Sequence, residues 1–154
     1  MKATKITVPL AMCLAGVMVC YASDQYMGTW KLNEAKSKLA QGTTRNTVVV
    51  YEPAGDQVRV TTDGTSGDGS PAHSEWTGKL DGKDYPVTGD PSQDTRAYMT
   101  VDEHTLSFTN KKNGKVTTSG RIAISADGKS RTVTVHGTSA DGKEVSSTAV
   151  YDKQ

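Results

Sequence analysis

Hydrophobic and polar residues alternate with a period of two along most of this chain. Val58 and Val60 lie opposite Arg59 and Thr61, and Trp76, Gly78 and Leu80 lie opposite Glu75, Thr77 and Lys79. Leu106 and Phe108 alternate with Thr105, Ser107 and Thr109; Ile122 and Ile124 share a face; Val133 and Val135 face away from Thr132, Thr134 and His136. Successive side chains of a strand point to opposite sides, so this spacing predicts strands with one face toward a core. Ten such segments are read in order, over residues 27–32, 47–52, 57–63, 72–80, 83–87, 95–101, 105–110, 114–125, 130–138 and 143–152.

Between them stand Asp-Gly or Asn-Gly pairs beginning at Asp63, Asp81, Asn113, Asp127 and Asp141. These pairs favour tight hairpin turns, because both central positions of a type I′ turn need positive φ. The sole helical candidate is "NEAKSKLA", residues 33–40, in which Asn33 is placed to cap a turn or two. With no helical layer to cover a sheet, the strands must bury their apolar faces on one another. Purely sequential hairpins favour closure, which also removes exposed edges. The fold expected is therefore all-β, a single antiparallel up-and-down barrel of eight to ten strands with one short helical turn after the first.

The first residues change where that domain begins. Lys2 and Lys5 precede an apolar run from Ile6 to Cys20, and small residues follow before Asp24. This is the layout of a secretory signal peptide, expected over residues 1–22 with cleavage after Ala22, and the run is short for a membrane anchor. Val17, Met18 and Val19 before Cys20 lack the small residue that a lipoprotein signal wants, so lipidation at Cys20 is the less favoured reading. The barrel domain is then residues 23–154, exported to the periplasm or the exterior. Both cysteines, Cys13 and Cys20, leave with the leader, so no disulfide or thiol metal site is expected in the mature chain.

Loss of Lys2 and Lys5 leaves 16 basic residues against 17 acidic ones. Such a balance points to neither nucleic acid nor an anionic membrane as partner, and a monomer is the default expectation. The core must be lean, since only 34% of the chain is hydrophobic and Phe108 is its one phenylalanine.

Candidate chemistry is sparse. His73, His104 and His136 fall on separate segments without a metal-binding spacing. A barrel holding haem through one histidine would need His73 or His136 turned inward, against the alternation. No G-x-S-x-G elbow occurs, "GTSGDGS" (64–70) lacks the lysine of a phosphate loop, and no acidic stretch meets the calcium-loop pattern. No catalytic residue, metal site or cofactor is assigned, and the protein is not expected to be an enzyme. "DYPVTGDPSQDT" (84–95), with Pro86, Gly89 and Pro91, is the longest connection and a candidate lip over a barrel mouth.

The Gly-x-Trp of "MGTWKLN" (27–33), followed by a meander of eight to ten strands, resembles the lipocalin and calycin group. "GTWKLNEAKSKL", "YEPAGDQVRVTTDGT", "DGKDYPVTGDP" and "TNKKNGKV" are similar to stretches of small secreted bacterial proteins described as lipocalin-like. The resemblance implies a barrel in which Gly28 and Trp30 form the first-strand plug, with an arginine from a late strand, Arg121 or Arg131, stacked on the indole. The lipocalin helix after the eighth strand and the disulfide have no counterpart in the sequence, so a lipocalin-like barrel is what is implied. It also implies a small hydrophobic ligand inside, with Tyr51, Trp76, Tyr98, Phe108 and Tyr151 as the candidate lining. The competing reading is a barrel filled by its own side chains, acting as an interaction or envelope-stress module. A cavity of several hundred Å³ would separate the two.

Overall fold

The computed structural model describes residues 24–138 and 142–154, so the expected leader over residues 1–22 and the turn at Asp141 lie outside the described residues. Ten strands follow in chain order: β1 (Gly28–Leu32), β2 (Arg45–Ala54), β3 (Gln57–Thr65), β4 (Pro71–Gly78), β5 (Tyr85–Thr88), β6 (Thr95–Asp102), β7 (Thr105–Lys112), β8 (Lys115–Ile124), β9 (Ser130–Thr138) and β10 (Glu144–Lys153). Each is antiparallel to its neighbours, and β1 closes the barrel by pairing with both β2 and β10, Trp30 standing opposite Val49 on one side and Lys153 on the other.

The inner faces are those the alternation assigns. Val58 and Val60, Trp76, Leu106 and Phe108, and Ile122 and Ile124 are all buried. At one end the core is sealed by Trp30, which is fully buried and donates its indole N–H to the Tyr26 carbonyl at 2.9 Å. Tyr26 itself is buried, so the segment leading into β1 forms part of that end.

The turn chemistry is local at most corners. Asn113 and Gly114 both have positive φ, 49° and 74°, as a two-residue type I′ hairpin requires. Asp68, Asp81, Asp90, Asp102 and Asp127 each accept the backbone N–H two residues on, the side-chain mimic of a turn that explains why aspartate recurs there.

Two turn signals read differently in three dimensions. Asp63 and Gly64 lie inside β3, not at a hairpin tip, and the turn falls at 66–70. Gly64 serves close approach: opposite a register shift in β2, a Cβ on it would come within 1.9 Å of the Arg45 carbonyl oxygen. Asp81–Gly82 is no simple hairpin either. Asp81 bridges to Met99, and Gly82 N–H donates to the Tyr98 carbonyl at 2.8 Å, so this segment lies along β6 where the four-residue β5 leaves that strand uncovered.

The helical segment is shorter than residues 33–40. A single 3₁₀ turn covers Glu34–Lys36, capped by Asn33 Oδ1 accepting from Lys36 N–H at 3.2 Å. Lys38 then returns to pair with Thr148, exchanging both backbone hydrogen bonds at 2.7 and 2.8 Å. The edge of β10 beyond the five-residue β1 is thereby satisfied, which a longer helix would leave open.

Candidate functional site

The inward-facing side chains do not fill the barrel. They enclose a cavity of about 420 Å³ that reaches the end opposite Trp30, where the β1–β2 connection (Gln41 to Thr44), the β5–β6 connection (Asp90, Ser92 and Gln93) and Thr138 form its rim. The 84–95 stretch thus contributes both a short strand and part of the mouth.

The walls differ in chemistry. Val49, Ile122, Val133, Val135 and Ala149 make an apolar side, contributed by β2 and by β8 to β10. The polar part of the lining is Thr62, Ser74, Arg96, Asn110 and Thr118, on β3, β4 and β6 to β8. These polar groups are bonded to one another: Thr62 and Ser74 hydroxyls meet at 2.7 Å, Arg96 Nε donates to Asn110 Oδ1 at 2.7 Å, and Asn110 Nδ2 donates to Thr118 Oγ1 at 2.7 Å. A buried polar group without a partner is costly, and this network meets that demand.

Of the expected lining residues, Tyr51, Tyr98, Phe108 and Tyr151 face the cavity. Trp76 does not. Its indole N–H donates to the Arg96 carbonyl at 2.9 Å and its ring packs edge-on against Tyr85 and Tyr98, with centroids 5.8 and 4.8 Å away. It fills the space beside the short β5.

Arg131, not Arg121, stacks on the first-strand tryptophan. Its guanidinium carbon lies 4.9 Å from the Trp30 ring centre, 5.0 Å from Tyr51 and 4.7 Å from Tyr151. Arg121 is exposed, because Ile122 and Ile124 take the inward positions of β8 and leave 121 on the outer face. Lys153 also reaches Trp30, with Nζ 5.2 Å from the ring. Gly28 begins β1 with φ of 106° and is half-buried beside the Lys153 side chain.

A tyrosine pair spans the interior between two arginines. Tyr51 hydroxyl makes a long contact of 3.5 Å to the Tyr98 hydroxyl, which also accepts from Arg96 Nη1 at 3.0 Å. Burial, then the neighbouring Tyr98, holds the Tyr51 phenol well above its ordinary range, with Arg131 opposing; burial likewise raises Tyr151. Both phenols are neutral donors at physiological pH. At the rim, burial pushes the Asp90 carboxyl up, but hydrogen bonds from Ser92 and Gln93, with the charge of Arg96, outweigh it and leave the group below the usual carboxylate range.

His73 and His136 are exposed and neither lines the cavity. His73 instead contacts Asp63 at 2.7 Å and Glu75 at 3.7 Å on the outer surface. No group of three or more His, Cys, Asp or Glu side chains arranged to hold a metal ion occurs among the described residues.

Arg96, Asn110 and Gln93 were not anticipated as cavity residues. Arg96 and Asn110 had a signal: each stands two positions from an inward aromatic, Tyr98 and Phe108, and so shares its face. Gln93, 4% exposed, sits in a loop without periodicity and had none.

No protein-family model matches this sequence, and no curated protein matches it. Among solved structures, EF1p2_mFAP2b bound to DFHBI aligns with 86% of this chain and 97% of its own at 14% identity and a TM-score of 0.49. The redesigned beta barrel mFAP1 bound to DFHBI aligns with 86% of this chain and 98% of its own, at 18% identity and 0.45. Lobster apocrustacyanin A1 aligns with 84% of this chain and 61% of its own, at 15% identity and 0.44. Likenesses at this level carry no argument about activity. The strand order and register of the chain itself establish a closed ten-stranded antiparallel up-and-down barrel.

Proposed function

We propose that this protein is an exported, non-catalytic carrier that holds one small amphipathic molecule inside its barrel. The observation that carries the reading is the cavity of about 420 Å³, which falls in the range of about 300–1,000 Å³ occupied by small-molecule sites. Its lining has the make-up of such sites, an apolar wall with a few fixed polar groups, and it reaches the rim where a ligand can enter. A barrel packed by its own side chains would retain no such volume.

Export rests on the leader pattern of residues 1–22, and the closed end supports the position of the cut. Tyr26 is buried and receives the Trp30 indole N–H, so a chain beginning at Ser23 keeps the plug whole while a cut beyond Tyr26 would remove it. N-terminal sequencing of protein from its own host is expected to return Ser23; retention of residues 1–22 would overturn export by cleavage.

Native mass spectrometry of the same material tests the carrier reading. A discrete added mass, released on denaturation and identified as an amphipathic organic molecule, is the expected result. A bare protein mass under gentle conditions, together with failure to take up medium-chain amphiphiles, would overturn it.

A further inference from the structure

Arg131 raises a question that the plug role does not answer. Its side chain is 2% exposed, yet it has no carboxylate partner, and its Nε and Nη1 are buried without a hydrogen-bond acceptor among the described residues. Guanidinium stays protonated in proteins, so this is a permanent buried charge, and an unpaired buried charge is strongly disfavoured. The rings of Trp30, Tyr51 and Tyr151 offset part of the penalty through cation–π contact. Ring faces, however, accept no in-plane N–H hydrogen bond, so the edge of the guanidinium remains unsatisfied.

The rest of the cavity supplies little counter-charge. Among the described residues three arginines line it, against the one carboxylate of Asp90. Arg45 is paired at the rim with Glu34 at 3.3 Å. Arg96 is committed to Asn110 and Tyr98. Asp90 already accepts from Ser92 N–H at 2.9 Å, Ser92 Oγ at 2.6 Å and Gln93 Nε2 at 2.5 Å. Tyr98 Oη accepts from both Tyr51 and Arg96, which leaves its own proton free to be donated. Gln93 Oε1, at the rim, is the one buried side-chain acceptor of the lining without a partner among the described residues, and the charge of the lining is predominantly that of its guanidinium groups.

We propose that the ligand is an organic anion, an apolar body bearing one carboxylate or sulfonate, whose acidic group is received by the Arg131 guanidinium near the closed end. The inference rests on the carrier reading and adds the charge and orientation of the ligand. Ile122, Val133 and Ala149, which share the cavity wall with Arg131, would pack on the apolar body. An anion there supplies the acceptor that Nε and Nη1 lack, with the strength of a charge-assisted bond in a low-dielectric site.

Decanoate, decanesulfonate and decanol share one apolar body and differ in charge, so isothermal titration of the delipidated protein with each separates the two readings. Decanoate and decanesulfonate are expected to bind at least about ten-fold more tightly than decanol at about pH 7. Arg131→Met, which keeps an unbranched stem beside the rings but removes the guanidinium, is expected to abolish that preference, so that the two anions bind no more tightly than decanol does to the same variant. Equal binding of all three probes to the unaltered protein would overturn the anion inference while leaving the carrier reading intact, and binding of none would overturn both. An anion preference that survives in folded Arg131→Met would overturn the role of Arg131. Should that variant not fold, Arg131→Lys decides: it keeps the charge but loses the planar fork, and a preference reduced without loss of decanol binding supports the assignment, whereas an unchanged preference overturns it.

Discussion

Removing the Trp30 side chain should come close to unfolding the protein. The residue is 0% exposed, donates to the Tyr26 carbonyl at 2.9 Å and has Arg131 and Lys153 against its ring. Burying an aromatic of this size removes about 150–250 Å² from water, which at about 25 cal/mol per Å² corresponds to about 4–6 kcal/mol. The methyl that remains and partial collapse of the site bring the expected cost of Trp30→Ala to about 3–5 kcal/mol. That is a large part of the roughly 5–15 kcal/mol that holds a domain folded. Trp30→Phe isolates the hydrogen bond, since it keeps most of the area but leaves the Tyr26 carbonyl without its donor, and should cost about 1–3 kcal/mol. Urea unfolding followed by the fluorescence of Trp76, buried against Tyr85 and Tyr98, reads both variants. A loss under about 1 kcal/mol for Trp30→Ala, with an unchanged m-value, would refute the argument that this residue seals the barrel.

Other positions allow equally direct checks. A Cβ on Gly120 would stand 2.0 Å from the Thr134 carbonyl oxygen and 2.7 Å from the Phe108 ring, so Gly120→Ala must shift β8 against β9 and displace Phe108 as well, and should lower stability by about 1–3 kcal/mol in thermal or urea melts. His73 is raised above its ordinary value chiefly by its hydrogen bond to Asp63; NMR titration should show this, and Asp63→Asn should bring the value down. Because the folded value is the raised one, the contribution is fully present below the unfolded value of about 6.5 and is lost as pH rises through the folded value. Asp90 has the opposite sign: its folded carboxyl is depressed, so its contribution is present above the unfolded value of about 3.9 and is lost as pH falls through the folded value. Asp90→Asn should therefore weaken the protein at neutral pH, and urea titrations should show its difference from the unaltered protein shrinking in acid. A difference that grows in acid would contradict the assignment.

Alternation and turn residues were sufficient for the inward faces of the strands and the sequential topology, and bounded the strand count at eight to ten. Both are local properties: the side of a strand on which Val58 or Phe108 falls follows from the pleat alone, and Asn113–Gly114 turns because its own φ preferences demand it. Gly64 and Gly82 show where such reasoning ends. One glycine permits close approach of two strands and the other lies in a connection along β6, and neither fact is encoded within a few residues of its position.

The plug and the cavity divide in the same way. That Trp30 plugs the start of β1 with Arg121 or Arg131 stacked on it was implied by the lipocalin resemblance, which left the arginine open; the inward face of β8 belongs to Ile122 and Ile124, and the alternation there turns Arg121 outward. That Arg131 meets Trp30, Tyr51 and Tyr151 together required the register of four strands, β1, β2, β9 and β10, around a closed circumference. The sequence by itself determined which face of each strand points inward. Only the tertiary structure decided that the inward side chains leave about 420 Å³ unfilled and a buried guanidinium without an acceptor, because empty volume and unmet hydrogen bonds depend on how distant strands are placed around the barrel.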